Sequence, residues 1–171
     1  LTSLGFVEQV THSSIHSVTR RGKYLLFDLH PAGPSASGLA LAVNPKLTGR
    51  LQLCPPDARK AGPVHLTLAF DDPPLDLRYI DSKRMGQVYL TRDLSRIPTF
   101  DEMGPDALQV SQQDFRDRLR PFRGEIKGIL TRASFVAGIG NAYADEILWE
   151  ARLHPYRKRT SLTGEDIDRL Y

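Results

Sequence analysis

The sequence predicts an α+β fold, with an antiparallel β-rich half followed by a helical half. Three observations carry this. Short alternating apolar runs fill residues 15–92, a Pro- and Gly-containing stretch covers 97–108, and the apolar spacing turns helical after it. In the β half, residues 15–20 alternate and 23–29 (KYLLFDL) form an apolar-rich run. Residues 39–43 and 51–54 follow, separated by Asn44-Pro45 and Thr48-Gly49. Residues 65–70 (HLTLAF) and 75–80 (LDLRYI) alternate on either side of Asp71-Asp72-Pro73-Pro74, a hairpin signal because Asp and Pro favour turns. Residues 87–91 make one more strand. Short strands with turns between them point to a β-sandwich or a barrel.

Residues 97–108 read as a linker. Ser111 is expected to cap a helix over 111–119, with Asp114 at capping-box spacing. A second helical stretch covers 125–130. Gly138-Ile139-Gly140-Asn141 reads as a tight turn with positive φ at its glycines, and 142–153 as the best helix, stopped by Pro155. Ile147, Leu148 and Ala151 share one of its faces. Thr163 opens a last helix with Asp166 at capping-box spacing. The sequence stops at Tyr171 partway through that helix, so a piece of a longer protein is expected.

Composition narrows the function classes. Hydrophobic residues make up 40% of the 171 positions and charged residues 25%, as in ordinary globular proteins. No apolar run of about 18 residues occurs, so no transmembrane helix and no membrane partner are predicted. Leu1 is not followed by a signal-peptide pattern. A single cysteine, Cys54, allows no internal disulfide and suits a reducing, cytoplasmic setting. The net charge is +3 and unevenly spread. Residues 116–132 hold six basic and two acidic side chains, and 152–159 hold four basic and none acidic. Such patches fit either solvated helix faces or a polyanionic partner.

Nucleotide-binding, zinc-protease and serine-hydrolase motifs are absent. His12 and His16 have i, i+4 spacing but fall in a segment that reads as strand, which argues against a metal site. Before the best helix, G-I-G-N can place backbone N–H groups and the Asn141 amide against a phosphate, or Asn141 can simply cap the helix.

Several motifs together resemble the formamidopyrimidine-DNA glycosylase and endonuclease VIII family. Residues 128–157, GILTRASFVAGIGNAYADEILWEARLHPYR, look like its helix–two-turns–helix element. Arg20-Arg21-Gly22-Lys23-Tyr24-Leu25-Leu26 is similar to the family's R-R-x-K-Y-L-L. Leu47-Thr48-Gly49-Arg50-Leu51 is similar to M-[ST]-G-x-L, and Asp81-Ser82-Lys83-Arg84-Met85-Gly86 stands where the family has D-P-R-R-F-G. Gly104-Pro105-Asp106-Ala107-Leu108 is similar to the family linker L-G-P-x-P-L. The motifs occur in family order across almost the whole chain.

The resemblance implies an N-terminal β-sandwich over 1–98, incomplete at its start, and a helix–two-turns–helix DNA-binding domain over 105–171, incomplete at its end. It implies a parent DNA glycosylase with AP-lyase activity on oxidised bases in base-excision repair, a monomer acting on damaged double-stranded DNA at the bacterial nucleoid. Lys23, Lys127, Asn141 and Arg84 are the implied DNA contacts. Leu47, Lys83 and Met85 occupy the positions of the family's base-step wedge, where an extruded base leaves a gap to fill. Plain core packing is the competing reading for Leu47 and Met85. Tyr143 and Glu146 match helix positions read as structural, with a buried Glu146 capping local N–H groups.

The departures are specific. The family's catalytic Pro-Glu and its Cys₄ zinc finger are not in this chain, so no catalytic residue, metal or cofactor is assigned here, and one structural zinc is expected in the full-length protein. Leu1 is not expected to replace the proline amine. Asn44 and Pro63 stand where the family has His, and Thr131-Arg132 where it has Asp-Gln. A non-catalytic damaged-DNA-binding homologue is therefore the alternative, separable by whether Met-Pro-Glu precedes Leu1 in the gene. A helix–two-turns–helix RNA-binding protein is the third reading, and the β half argues against it.

Overall fold

The computed structural model describes residues 5–31 and 38–171. Leu1, and with it the expectation that its amine does not replace proline, lies outside the described residues. The chain divides into two compact units at Leu94 and Ser95.

In the first unit a short helix, α1 (Phe6–Val10), precedes seven strands. It spans too few residues for helical periodicity to register in the sequence. The strands are β1 (Ser14–Arg21), β2 (Tyr24–His30), β3 (Leu39–Asn44), β4 (Gly49–Cys54), β5 (Val64–Asp71), β6 (Pro74–Asp81) and β7 (Gln87–Thr91). They form one sheet in the order β1-β2-β3-β7 and another in the order β4-β6-β5, with every pairing antiparallel. Register explains the core. Phe27 faces Leu41 and Leu29 faces Leu39, while Leu41 faces Leu90 across β7. These side chains bury against Tyr79, Leu51, Leu66, Leu68 and Leu77 of the other sheet. Two sheets sharing one apolar core make a sandwich, which resolves the sandwich-or-barrel choice. Each fully buried Leu contributes about 1.5–3 kcal/mol.

The chain passes between the sheets at two neighbouring places. The 45–48 turn joins β3 to β4, and the 82–86 turn joins β6 to β7. Because β3 pairs with β7 and β4 with β6, both crossovers lie at one end of the sandwich.

The second unit contains α2 (Gln112–Leu119), α3 (Ile126–Leu130), α4 (Asn141–Glu150) and α5 (Gly164–Leu170). The stretch expected as a linker is packed instead. Ile97, Phe100 and Asp106 are buried, the Gly104 N–H donates to the Ala133 carbonyl at 2.8 Å, and the Ala137 N–H donates to Pro105 at 2.8 Å. Gly104 and Pro105 make a close approach to the chain around Phe135, and composition alone could not separate that from a free tether.

Ser111 caps α2 by accepting the Asp114 N–H at 3.1 Å, while the Asp114 carboxylate turns to Arg118. At α5 the capping box is complete: Thr163 accepts the Asp166 N–H at 3.1 Å, and Asp166 accepts the Thr163 N–H at 2.9 Å. Inside the unit, Phe135 is fully buried and meets Phe115 edge-on at 5.1 Å and Phe122 at 5.7 Å.

Pro155 does not stop α4. The helix ends at Glu150 because Arg152 turns left-handed, with φ of 55°. The Leu153 N–H then reaches the Leu148 carbonyl at 2.9 Å and the Arg152 N–H reaches Trp149 at 3.0 Å, the paired bonds of a Schellman ending. At the other end Gly138 has φ of 112°, but Gly140 is extended at φ −108°, so only the first of the two glycines uses the left-handed region. Among the described residues no helix is long and apolar enough to cross a membrane.

Candidate nucleic-acid interface

The crossover end of the sandwich gathers most of the residues singled out in the first half of the sequence. Leu47 sits on the 45–48 turn and is 67% exposed, and Met85 on the 82–86 turn is 52% exposed. Neither is a core residue, so the packing reading of both is overturned. Lys83 and Arg84 are exposed beside Met85, and Arg84 holds the left-handed backbone at φ 54°. Lys23 lies in the tight connection between β1 and β2. Partial desolvation, and second the like charge of Lys46, hold its ammonium below the usual lysine range. That coupling brings Lys46, which sequence reading passed over, into the same cationic patch next to Leu47. Its signal was available: Asn44-Pro45-Lys46-Leu47 is a turn with a cation at its tip.

These turns are organised by a residue that the sequence presented only as the start of a motif. Asp81 ends β6 and is 1% exposed. Its Oδ1 accepts the Thr48 hydroxyl and, at 3.2 Å, the Lys83 N–H. Its Oδ2 accepts the Gly86 N–H at 2.8 Å and the Tyr79 hydroxyl at 3.4 Å. Thr48 Oγ1 also accepts the Lys83 N–H at 3.1 Å. These donors hold the Asp81 carboxyl down at about 2, with the Thr48 hydroxyl the largest cause, then the Gly86 amide, against the opposing effect of burial. A Cβ on Gly86 would collide with the Tyr79 hydroxyl, and one on Gly49 with that hydroxyl and the Pro45 backbone, so glycine is needed directly after the first turn and at the close of the second. A cavity of about 180 Å³ opens here, lined by His65, Tyr79, Asp81, Arg84, Gly86 and Val88. Asn44, in a position where the resembling family has His, is buried and accepts the Lys46 N–H at 3.2 Å, shaping the turn.

In the helical unit Asn141 is not the N-cap of α4. Gly140 takes that place, no side chain caps the helix, and Asn141 is its exposed first residue. The amide therefore stays available for an outside partner. Lys127 on α3 forms an ion pair with Asp145 of α4 at 2.6 Å. The basic segments are less open than their composition suggests. Arg116 pairs with Asp168, Arg118 with Asp114, Arg120 with Asp117 and Arg157 with Asp166, while Arg159 donates to the Leu119 carbonyl. Glu146 is exposed, so it is not a buried cap, and Tyr143 is 71% exposed and not part of the core. Both lie on the outer face of α4, where the inner positions are Ala144 and Leu148.

The histidines form no ligand set. His12 lies in a turn before β1, and His16 stacks on His30 at 4.7 Å. Among the described residues no group of three or more His, Cys, Asp or Glu side chains is placed to hold a metal, and Cys54 is buried in β4.

Residues 2–88 match the formamidopyrimidine-DNA glycosylase N-terminal domain, and residues 103–171 match the formamidopyrimidine-DNA glycosylase H2TH domain. A formamidopyrimidine-DNA glycosylase of Desulforamulus reducens is 37% identical over 89% of this chain and 54% of its own length. One from Heliobacterium modesticaldum is 39% identical over 97% of this chain and 60% of its own length. The chain thus spans little more than half the length of these relatives. Lactococcus lactis Fpg, solved in complex with abasic-site-containing DNA, superposes with a TM-score of 0.81 at 30% identity, over 95% of this chain and 59% of that one. MutM in complex with carbocyclic 8-oxo-G-containing DNA gives a TM-score of 0.81 at 30% identity, over 95% and 60% of the two chains.

Proposed function

The chain belongs to the formamidopyrimidine-DNA glycosylase family, and on that premise we propose that it is the DNA-engaging part of a repair glycosylase for oxidised bases in duplex DNA. The observation that carries the reading is the pair of exposed apolar side chains, Leu47 and Met85, on turns that also carry Lys46, Lys83 and Arg84. An exposed apolar tip ringed by cations suits a surface that must sit among phosphates and fill a gap in a base stack. Lys23, Arg84, Lys127 and Asn141 hold the backbone; Leu47, Lys83 and Met85 enter the step. Lys83 lacks the planar fork of arginine, so it supplies charge without bidentate reading of the opposite base.

In this reading the parent protein is a monomeric glycosylase with AP-lyase activity, working in the bacterial cytoplasm at the nucleoid, and this chain alone binds DNA without cutting it. The residues present do not fit a structural zinc, since Cys54 is buried in β4 and the described residues offer no ligand cluster. The zinc belongs to the parent beyond this chain.

The test is titration of the chain against duplex DNA containing an abasic-site analogue at increasing salt. Lys23 and Arg84 give a log–log slope of about −1.8, which Lys127, paired with Asp145, steepens by up to about 0.9. Binding that does not respond to salt would refute the reading. Borohydride reduction on abasic DNA should trap no covalent adduct; a robust adduct would overturn the assignment of the chain as binding only.

A further inference from the structure

We propose that Asp81 is a positioning residue that locks the 45–48 and 82–86 turns into one unit, so that Leu47 and Met85 enter a base step together. The proposal rests on the wedge reading above and assigns the device that aims the wedge. Both turns are crossovers between the same two sheets, at the same end of the sandwich. Small sliding of one sheet on the other would move the turn tips relative to each other. The Asp81 carboxylate spans them. One oxygen takes the Thr48 hydroxyl from the first turn and the Lys83 N–H from the second, and the other takes the Gly86 N–H at the close of the second. Asp81 is itself fixed from β5 and the residue before it, since its carbonyl meets His65 Nε2 at 2.8 Å and its N–H donates to the Pro63 carbonyl at 3.3 Å.

The chemistry requires a carboxylate. Hydroxyls such as Thr48 and Tyr79 can rotate to accept instead of donate, but backbone N–H groups cannot. Each oxygen has a backbone donor, Lys83 on Oδ1 and Gly86 on Oδ2. An asparagine would therefore set its NH₂ against an N–H whichever way it was flipped. Thr48 is the hinge of the link, because its hydroxyl touches Asp81 and the Lys83 N–H at once.

The experiment compares the chain with its Asp81→Asn, Thr48→Val and Thr48→Ser variants. Each is bound to a duplex carrying 2-aminopurine beside an abasic-site analogue, whose fluorescence rises when the base unstacks. Affinity and salt slope are measured on the same samples. Thr48→Ser keeps the hydroxyl and should match wild type. Thr48→Val and Asp81→Asn should lose most of the fluorescence rise while keeping the salt slope, since the cations that hold the backbone are intact. In the free protein, Thr48→Val should speed amide exchange about tenfold at Gly86 as well as at Lys83, the Gly86 effect reporting coupling through the carboxylate. If Asp81→Asn fails to fold, the Thr48 pair decides. A wild-type rise that Thr48→Val leaves undiminished, or exchange that changes at Lys83 alone, overturns the proposal and leaves the wedge reading standing. No rise in wild type overturns the wedge reading and the proposal with it.

Discussion

Asp145→Asn should tighten DNA binding, although it removes an ion pair. Lys127 Nζ sits 2.6 Å from Asp145 Oδ1, with the side chains 33% and 57% exposed. A pair so open to water is worth about 0.2–1 kcal/mol. To hold a phosphate, Lys127 must give up that pair or share its ammonium, and the Asp145 carboxylate then faces a second anion. At about 7 Å in water the repulsion between unit charges is about 0.6 kcal/mol. Releasing the pair and the repulsion together gives about 0.8–1.6 kcal/mol, or about a four- to fifteenfold gain in affinity. Salt should reveal the cause. An unpaired Lys127 displaces a condensed counterion more fully, so the log–log slope should steepen by up to about 0.9. Fluorescence anisotropy on a labelled duplex at several salt concentrations measures both quantities. Lys127→Ala should weaken binding, and Asp145→Asn in that background should recover only the part due to repulsion. Unchanged affinity with an unchanged slope would show that Lys127 touches no phosphate.

Other outcomes follow from the same geometry. Asn141→Ala should weaken DNA binding by about 1–3 kcal/mol and leave the melting temperature nearly unchanged, because Gly140 occupies the N-cap position; a mutant that melts lower yet binds like wild type returns Asn141 to a structural role. Met85→Ala should cost little stability, the side chain being 52% exposed, but should reduce unstacking of a 2-aminopurine reporter. Met85→Phe should preserve or raise that signal, a stacked ring being worth about 1–3 kcal/mol. Phe135→Ala, at the fully buried centre of the helical unit, should lower stability by about 3–5 kcal/mol in urea unfolding. For Asp81 the folded value lies near 2, below the ordinary 3.8. Its contribution to stability is thus fully present above the unfolded value and is lost as pH falls through that window toward 2. The urea midpoint should drop across that range in wild type and drop less in Asp81→Asn; equal pH profiles would contradict this.

Elements whose signal is local were legible in the sequence. The seven strands follow from period-two alternation at 15–20, 65–70 and 75–80, from short apolar runs elsewhere, and from the turns at Asn44-Pro45, Thr48-Gly49 and Asp71–Pro74. Thr163 and Asp166 announced their capping box because both halves of it lie within one helical turn. The cationic and apolar make-up of 82–86 already marked a surface loop, and Leu47 and Met85 are exposed accordingly.

Features that depend on partners distant in sequence were not legible. Thr48 lies 33 residues from Asp81, so their bond, and the carboxylate's hold on both crossovers, exists only once the two sheets pack. Arg116 looks like a free cation in the sequence and is paired with Asp168, 52 residues away. Pro155 is a reasonable local stop for α4, yet the end came earlier, because turning left-handed at Arg152 lets Leu153 bury and satisfies the last carbonyls. Likewise 97–108 has the composition of a tether, and only its packing beside Phe135 makes it part of the helical unit. The sequence by itself determined which residues alternate, cap and turn, since those preferences act over a few bonds. The tertiary structure decided which charges are paired and how the exposed turns are held, since a charge is neutralised by whatever folding brings within a few ångströms of it.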